Sequence, residues 1–435
     1  MRKTPLLMSV ALAWLGAGTP LPAQNREDYE NPPVSYSATV PNDAATRLEA
    51  RLASGQLKFS GTGQEIVAAL LRELGVPPAS QVVVFSKTSF QRNRINPEHP
   101  RAIYFSDACY LGWVPGGLVE VTTIDPELGP VFYTFDPNRR DADPGPRFAR
   151  DNDCLRCHGG AFVREIPAVF VRSAFPDLRG EPLLRHGALV VDYRTPFEDR
   201  WGGWYVTGRH GTALHRGNVI AREQDEQLVF DRAKGANVTD LSGSFDTDRY
   251  LARTSDIVAL LVLEHQVAMH NALTHAAFSC RRMLHYQKNL QRDFKEPPTA
   301  EPTYDSVKSV FESETRAVVD ALLFKDEATL PAGIKGAEEF ARIFQAGAPK
   351  AGGGESLKTL SLSGHLFRNR CSYLIYSDQF LRLPGPLKRR IYERLALALS
   401  PTAPDPRYAY LDPTERARIT RILQETHPEW RTQPR

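Results

Sequence analysis

Two kinds of hydrophobic pattern divide the chain near residue 250. Upstream, short apolar or aromatic runs alternate with turn residues, which is typical of β-strands. Strands are predicted over residues 82–85, 102–105, 118–121, 131–135, 168–171, 188–191 and 204–207. Downstream, apolar residues recur at helical spacing. The pattern predicts an α+β protein in which a strand-rich half, residues 24–250, precedes a helical half, residues 251–435.

Capping residues mark several helix boundaries. Thr62 and Glu65 form the T-x-x-E pattern of a capping box, and Gly75 ends the helix that they begin. No glycine or proline interrupts residues 257–287, so a long helix is expected there. Asp412 followed by Pro413 predicts the start of the last helix.

The N-terminus has the three-part pattern of a secretory signal peptide. Arg2 and Lys3 precede an apolar run over residues 6–18, and the small residue Ala23 predicts cleavage after it. The apolar run, roughly 13 residues, is shorter than the about 20 needed to span a bilayer. An uncleaved anchor is the alternative. Because Glu264 interrupts the most apolar later stretch, no membrane span is expected, and the protein should be periplasmic or secreted.

Composition excludes several classes of protein. The chain has 435 residues, of which 42% are hydrophobic and 24% charged, as in ordinary globular proteins. Its net charge of +3 is too small to indicate a nucleic-acid partner. Five cysteines are too few for a disulfide-based fold of this length.

Two of the cysteines belong to the sequence Cys154-Leu155-Arg156-Cys157-His158. It matches C-x-x-C-H, the signature of covalent haem c attachment, which this composition would produce by chance roughly 0.0015 times. The two thiols bind one porphyrin as thioethers, and the histidine becomes an axial ligand of the iron. We therefore predict one haem c, bound by Cys154, Cys157 and His158.

Three other interpretations of the motif stay open: a redox disulfide, a zinc site and a structural disulfide. A redox C-x-x-C begins a helix in a βαβ unit, whereas Asn152 before this motif and Gly159-Gly160 after it predict a loop. A zinc site needs a second ligand pair at short spacing, and the sequence has no other C-x-x-C and no H-x3-H pair. The other cysteines, Cys109, Cys280 and Cys371, are either buried free thiols or include one disulfide.

The second axial ligand is less well defined. His210 is favoured because it follows a strand rich in glycine and aromatic residues, which suits a close approach by a flat ring. The alternatives are a bound water molecule or one of the following side chains: His215, His265, Met269 and His270. Among the arginines, Arg156, Arg164 and Arg209 are candidates to pair with the haem propionates.

Five stretches resemble a group of exported bacterial proteins with one haem motif, described as cytochrome c-domain proteins. The stretches are 85–91, 100–105, 154–158, 201–211 and 264–271. The resemblance implies a haem-binding role for Cys154, Cys157 and His158, and no particular reaction. Similar members carry a methionine after the second histidine of the 210–215 segment, where this chain has Arg216. A looser likeness over residues 100–215 is to periplasmic PAS-like haem sensors.

Together these features predict an exported c-type cytochrome that transfers electrons to or from a redox partner protein. A haem-dependent oxidoreductase with peroxidase-like chemistry is the first alternative, because the chain is about four times longer than compact carriers of this kind. A haem sensor or redox subunit is the second alternative.

Overall fold

The computed structural model describes residues 28–139, 147–160 and 163–432. The predicted signal peptide, residues 1–23, lies outside these ranges. In chain order the strands are β1 (Val82–Val84), β2 (Arg101–Ser106), β3 (Cys109–Trp113), β4 (Val119–Asp125), β5 (Gly129–Phe135), β6 (Phe148–Arg150), β7 (Val171–Ala174), β8 (Ala188–Val191), β9 (Trp204–Tyr205), β10 (Arg222–Gln224), β11 (Gln227–Val229), β12 (Leu360–Ser363) and β13 (His365–Phe367).

The helices are concentrated in the C-terminal half, as predicted. They are α1 (Ala44–Ala53), α2 (Gly63–Glu73), α3 (Leu155–His158), α4 (Ile257–Asp293), α5 (Asp305–Leu322), α6 (Glu338–Ala346), α7 (Asp378–Leu381), α8 (Gly385–Ala398) and α9 (Pro413–Thr426). The prediction of an α+β protein is therefore confirmed. The division into two domains at residue 250 stays a prediction.

An antiparallel sheet of seven strands, in the order β6-β5-β4-β3-β2-β1-β9, organises the N-terminal half. Side chains directly opposite one another on neighbouring strands share a face of the sheet. The strand register places Phe105, Tyr110, Thr122 and Phe132 in one row across four strands. Tyr110 meets α4 in this row, since Gln266 donates to its hydroxyl at 2.9 Å. Phe132 meets the C-x-x-C-H segment. One face of the sheet therefore supports both α4 and the haem motif.

The opposite face is covered by α1 and α2. Asp43, the N-cap of α1, is buried and accepts hydrogen bonds from the hydroxyls of Tyr133 at 2.6 Å and Thr123 at 2.7 Å. Helix α2 has the predicted capping box between Thr62 and Glu65, so that expectation is confirmed. Strand β3 was not predicted, because its sequence around Gly112 does not alternate between apolar and polar residues.

Helix α4 is longer than its sequence pattern predicted. It ends at Asp293 rather than near Gln287. Glu264, which interrupts the apolar stretch, is fully buried and pairs with Arg200 at 2.6 Å. By length and composition α4 could cross a membrane, yet 83% of its most apolar 18-residue window is buried inside the protein, as in a core helix. The expectation that no segment spans a membrane therefore stays a prediction.

Candidate haem-attachment site

The C-x-x-C-H motif lies on a short helical segment, and the prediction of a loop is wrong here. Strand β6 ends at Arg150, and the Asp151 side chain accepts from the Asp153 N–H at 2.9 Å, which starts a helical turn. This turn continues into α3 and ends at Gly159. Because Cys154, Cys157 and His158 are three and four residues apart on a helical turn, they share one face of it.

His158 is oriented by the backbone that follows it. Its Nδ1 lies 2.7 Å from the Ala168 carbonyl oxygen. A carbonyl only accepts, so Nδ1 carries the proton, and Nε2 of the neutral ring is left with its lone pair. Within the described ranges Nε2 has no hydrogen-bond partner. Metal-binding histidines characteristically donate their other ring N–H to a backbone carbonyl in this way.

Two aromatic rings fix the plane of the His158 imidazole. Phe132 of β5 lies 4.8 Å from it between ring centroids, and Phe170 lies 4.7 Å from it. We call residues 163–170, which run from the motif to β7, the haem loop. This loop supplies both Phe170 and the Ala168 carbonyl, so it sets the position and the tautomer of His158.

Burial keeps His158 neutral. It lowers the pKa of the ring to about 4, and the nearby positive charge of Arg101 adds to the effect, while the bond to Ala168 opposes it. A histidine must be unprotonated to bind a metal, so at neutral pH this ring is in the ligating form. Arg101 and Arg172 both lower the pKa of His158 through their charge, whereas Arg156 is exposed and pairs with Asp153.

The two cysteines of the motif are free thiols. Cys154 is half-buried and Cys157 exposed. Burial raises the pKa of the Cys154 thiol to about 12, and the charge of Asp151 raises it further. A redox C-x-x-C pair instead lowers the pKa of one thiol, so the redox interpretation is disfavoured. The other three cysteines are buried and unpaired.

The zinc interpretation receives no support from the described residues either. Among them, no three His, Cys, Asp or Glu side chains form a group that could hold a metal ion. The aromatic rings of Phe132 and Phe170 pack on His158, and such rings suit a flat apolar ring system better than a small cation.

His210 lies beside His215 rather than beside the motif. Their ring centroids are 4.6 Å apart. His210 Nε2 accepts from the Asn237 N–H and His215 Nδ1 from the Gly217 N–H, each at 3.0 Å. The remaining nitrogens, His210 Nδ1 and His215 Nε2, therefore carry the protons, and they lack partners within the described part of the chain. A ligating nitrogen needs a lone pair, so neither is prepared to bind iron.

The two histidines and the haem loop contact α4 at different positions along the helix. His215 packs on Trp201, with centroids 5.0 Å apart, and Trp201 donates to Glu264 at 2.6 Å. The haem loop instead reaches Asn271, seven residues or roughly 10 Å further along the helix. In the described ranges no contact joins His210 to His158. The geometry thus gives no support to His210 as second ligand.

The candidates on α4 have other partners. His265 Nε2 lies 2.8 Å from the Ser372 hydroxyl. His270 uses both ring nitrogens, with Gln379 Oε1 at 2.7 Å and the Asp107 carbonyl at 2.9 Å. Met269 is fully buried in the core. These side chains serve packing and hydrogen bonding inside the protein, and the second axial ligand stays an open prediction.

The sequence did not reveal the residues that support His158. Ala168 acts through its backbone carbonyl, which leaves no signature in a sequence. Phe132 belongs to a strand 26 residues before the histidine. Phe170 had a usable signal, since it is an aromatic residue in the segment that directly follows the motif.

Comparison with known proteins does not extend these observations. No family model, no curated protein and no solved structure matches this chain. The function of the protein is therefore inferred from the motif and its geometry.

Proposed function

We propose that this protein is an exported monohaem c-type cytochrome that acts in electron transfer. The observation that carries the proposal is the state of His158 within C-x-x-C-H. Its Nδ1 is held by the Ala168 carbonyl at 2.7 Å, and its Nε2 is left with a lone pair. The bound haem would supply a one-electron redox centre.

Each residue of the site has a distinct part in this proposal. Cys154 and Cys157 would hold the porphyrin covalently, and His158 would bind the iron through Nε2. The Ala168 carbonyl orients the ring and makes it a stronger donor. Phe132 and Phe170 pack against the ring and shield it from water.

Electron exchange with a partner needs a haem close to the surface. Cys157 is exposed, and the side chain of Arg156 between the cysteines is 82% exposed. Beyond the haem loop, β8 presents Leu189 and Val190 with 40% and 48% of their surface exposed. A redox partner protein therefore has an accessible, partly apolar surface to approach.

The proposal is tested by expression with the signal sequence in a host that attaches haem c in its periplasm. We expect a haem absorption spectrum and a haem-stained band after denaturing electrophoresis. Cys154→Ser with Cys157→Ser should lose the stained band, whereas Cys280→Ala, at a buried cysteine outside the motif, should keep it. A wild-type protein without the stain would refute the proposal.

A haem-dependent oxidoreductase is the second candidate. A cavity that adjoins Phe170, described below, favours it because an enzyme needs a substrate site near its redox centre. The reduced protein distinguishes the two. An unchanged six-coordinate spectrum under carbon monoxide indicates electron transfer, whereas a shifted spectrum indicates an open iron and favours the oxidoreductase.

A further inference from the structure

A cavity of about 360 Å³ lies between the haem loop, the end of β8 and the middle of α4. This volume is at the small end of the range of ligand pockets, roughly 300–1,000 Å³. Part of its wall is apolar, with Val169 and Phe170 from the haem loop and Val267 from α4, and Tyr193 adds aromatic surface. The charged side chains of Arg164, Asp192 and Arg194 also line the cavity. Such a mixed wall suits a flat aromatic molecule that carries a polar group.

The face of α4 that borders the cavity follows helical spacing. Ala268, Asn271, Ala272 and His275 are separated by three, one and three residues, so they share one side of the helix. The two alanines leave the space that larger side chains would fill. Asn271 exchanges two hydrogen bonds with the Val169 backbone, at 3.1 and 2.6 Å, and so fixes the opposite wall.

His275 lines the cavity and is hydrogen-bonded to Glu314. Its Nδ1 lies 3.1 Å from Glu314 Oε2 on α5. A carboxylate only accepts, so Nδ1 carries a proton. In the neutral form of the ring, Nε2 is then a hydrogen-bond acceptor. His275 and Glu314 are 19% and 12% exposed, so solvent competes weakly for this nitrogen.

The cavity is distinct from the haem-attachment site. Phe170 belongs to both, but Cys154, Cys157 and His158 do not line the cavity. His158 Nδ1 is held by the Ala168 carbonyl, and Ala168 does not line the cavity either.

We propose that this cavity binds a small aromatic molecule that carries a hydroxyl group, a ligand of the phenol class. The hydroxyl donates to Nε2 of His275, and the ring packs against Phe170 beside the alanines of α4. Covalent haem attachment does not require this site, so the inference goes beyond the function proposed above.

The test uses the haem-loaded protein at pH 8 and two probes, 2-naphthol and 2-methoxynaphthalene, with affinities from titration calorimetry. The probes share the ring system, but only 2-naphthol has a hydroxyl proton to donate. One hydrogen bond predicts about tenfold tighter binding of 2-naphthol. His275→Phe should reduce that preference to about onefold.

A cavity-filling variant locates the bound probe. Ala272→Leu should abolish binding of both probes, whereas Ala396→Leu, at an exposed position on α8, should change neither. Failure of 2-naphthol to bind, equal affinities of the two probes for the wild type, or undiminished binding to Ala272→Leu would each overturn the inference. The haem spectrum of the same samples reports attachment separately, so failure of the proposed function is distinguishable.

Discussion

Asn271 of α4 is hydrogen-bonded to the haem loop, and its replacement by alanine tests whether this contact helps to orient His158. The amide side chain accepts from the Val169 N–H at 3.1 Å and donates to the Val169 carbonyl at 2.6 Å. Val169 follows Ala168, whose carbonyl orients His158 at 2.7 Å. Asn271→Ala should therefore increase local opening of the haem loop, and the orientation of His158 should become less fixed as a result.

The expected magnitude follows from the two lost bonds. Each contributes about 1 kcal/mol net, so local opening of the loop should become easier by about 2 kcal/mol. That corresponds to about a 30-fold increase in the opening constant. Hydrogen exchange of the Ala168 amide measures it, because this amide donates to the His158 carbonyl at 2.8 Å, a bond of the loop that the substitution does not remove.

Asn289 on the same helix provides the matched control. The only described hydrogen bond of its side chain is a 3.5 Å contact with His285, so Asn289→Ala should change exchange of the Ala168 amide by less than about twofold. If Asn271→Ala has as little effect as Asn289→Ala, the loop is held by something other than this contact, and our account of His158 orientation is wrong.

Two other predictions concern stability. Burial lowers the pKa of His215 to about 3, and the electrostatic effect of neighbouring His210 adds to the shift. The unfolded chain therefore binds a proton at this histidine below about pH 6.5, whereas the folded protein does so only near pH 3. The folded state consequently loses stability as the pH falls below about 6.5. Between pH 6 and 4 the wild type should therefore lose about 2 kcal/mol more than His215→Phe in urea unfolding, and parallel pH curves would contradict this. Thr62→Ala removes the cap of α2 and should cost about 1 kcal/mol, whereas Thr62→Ser should restore most of it in the same assay.

The sequence predicts features whose cause is local. The helix α2 begins at a capping box made by residues three apart, and α9 begins at Asp412, whose side chain accepts from Thr414 and Glu415. The C-x-x-C-H motif is equally local, because the proposed iron ligand and both proposed attachment points lie within five residues. All residues of such a pattern lie close together in the sequence, so the pattern is recognised without knowledge of the tertiary structure.

The rest of the site depends on contacts between distant segments. Phe132 reaches His158 through the strand register, and Glu314 reaches His275 across two helices, 39 residues away. The glycines near His210 suggested room for a haem, but Gly208 serves packing instead. At φ 150° it lies against α4, where a Cβ atom would come within 2.4 Å of Ile257. Glycine is needed both where a backbone lies close against a helix and where it lies close against a cofactor. The sequence alone therefore does not distinguish the two cases.

Tryptic digestion of the protein isolated from the periplasm tests the central claim most directly. Arg156 lies between the two cysteines, so trypsin separates residues 151–156 from residues 157–164. If Cys154 and Cys157 hold one haem, the two peptides stay joined after reduction, and mass spectrometry finds their summed mass plus one haem. Two separate peptides without haem after reduction would contradict the account.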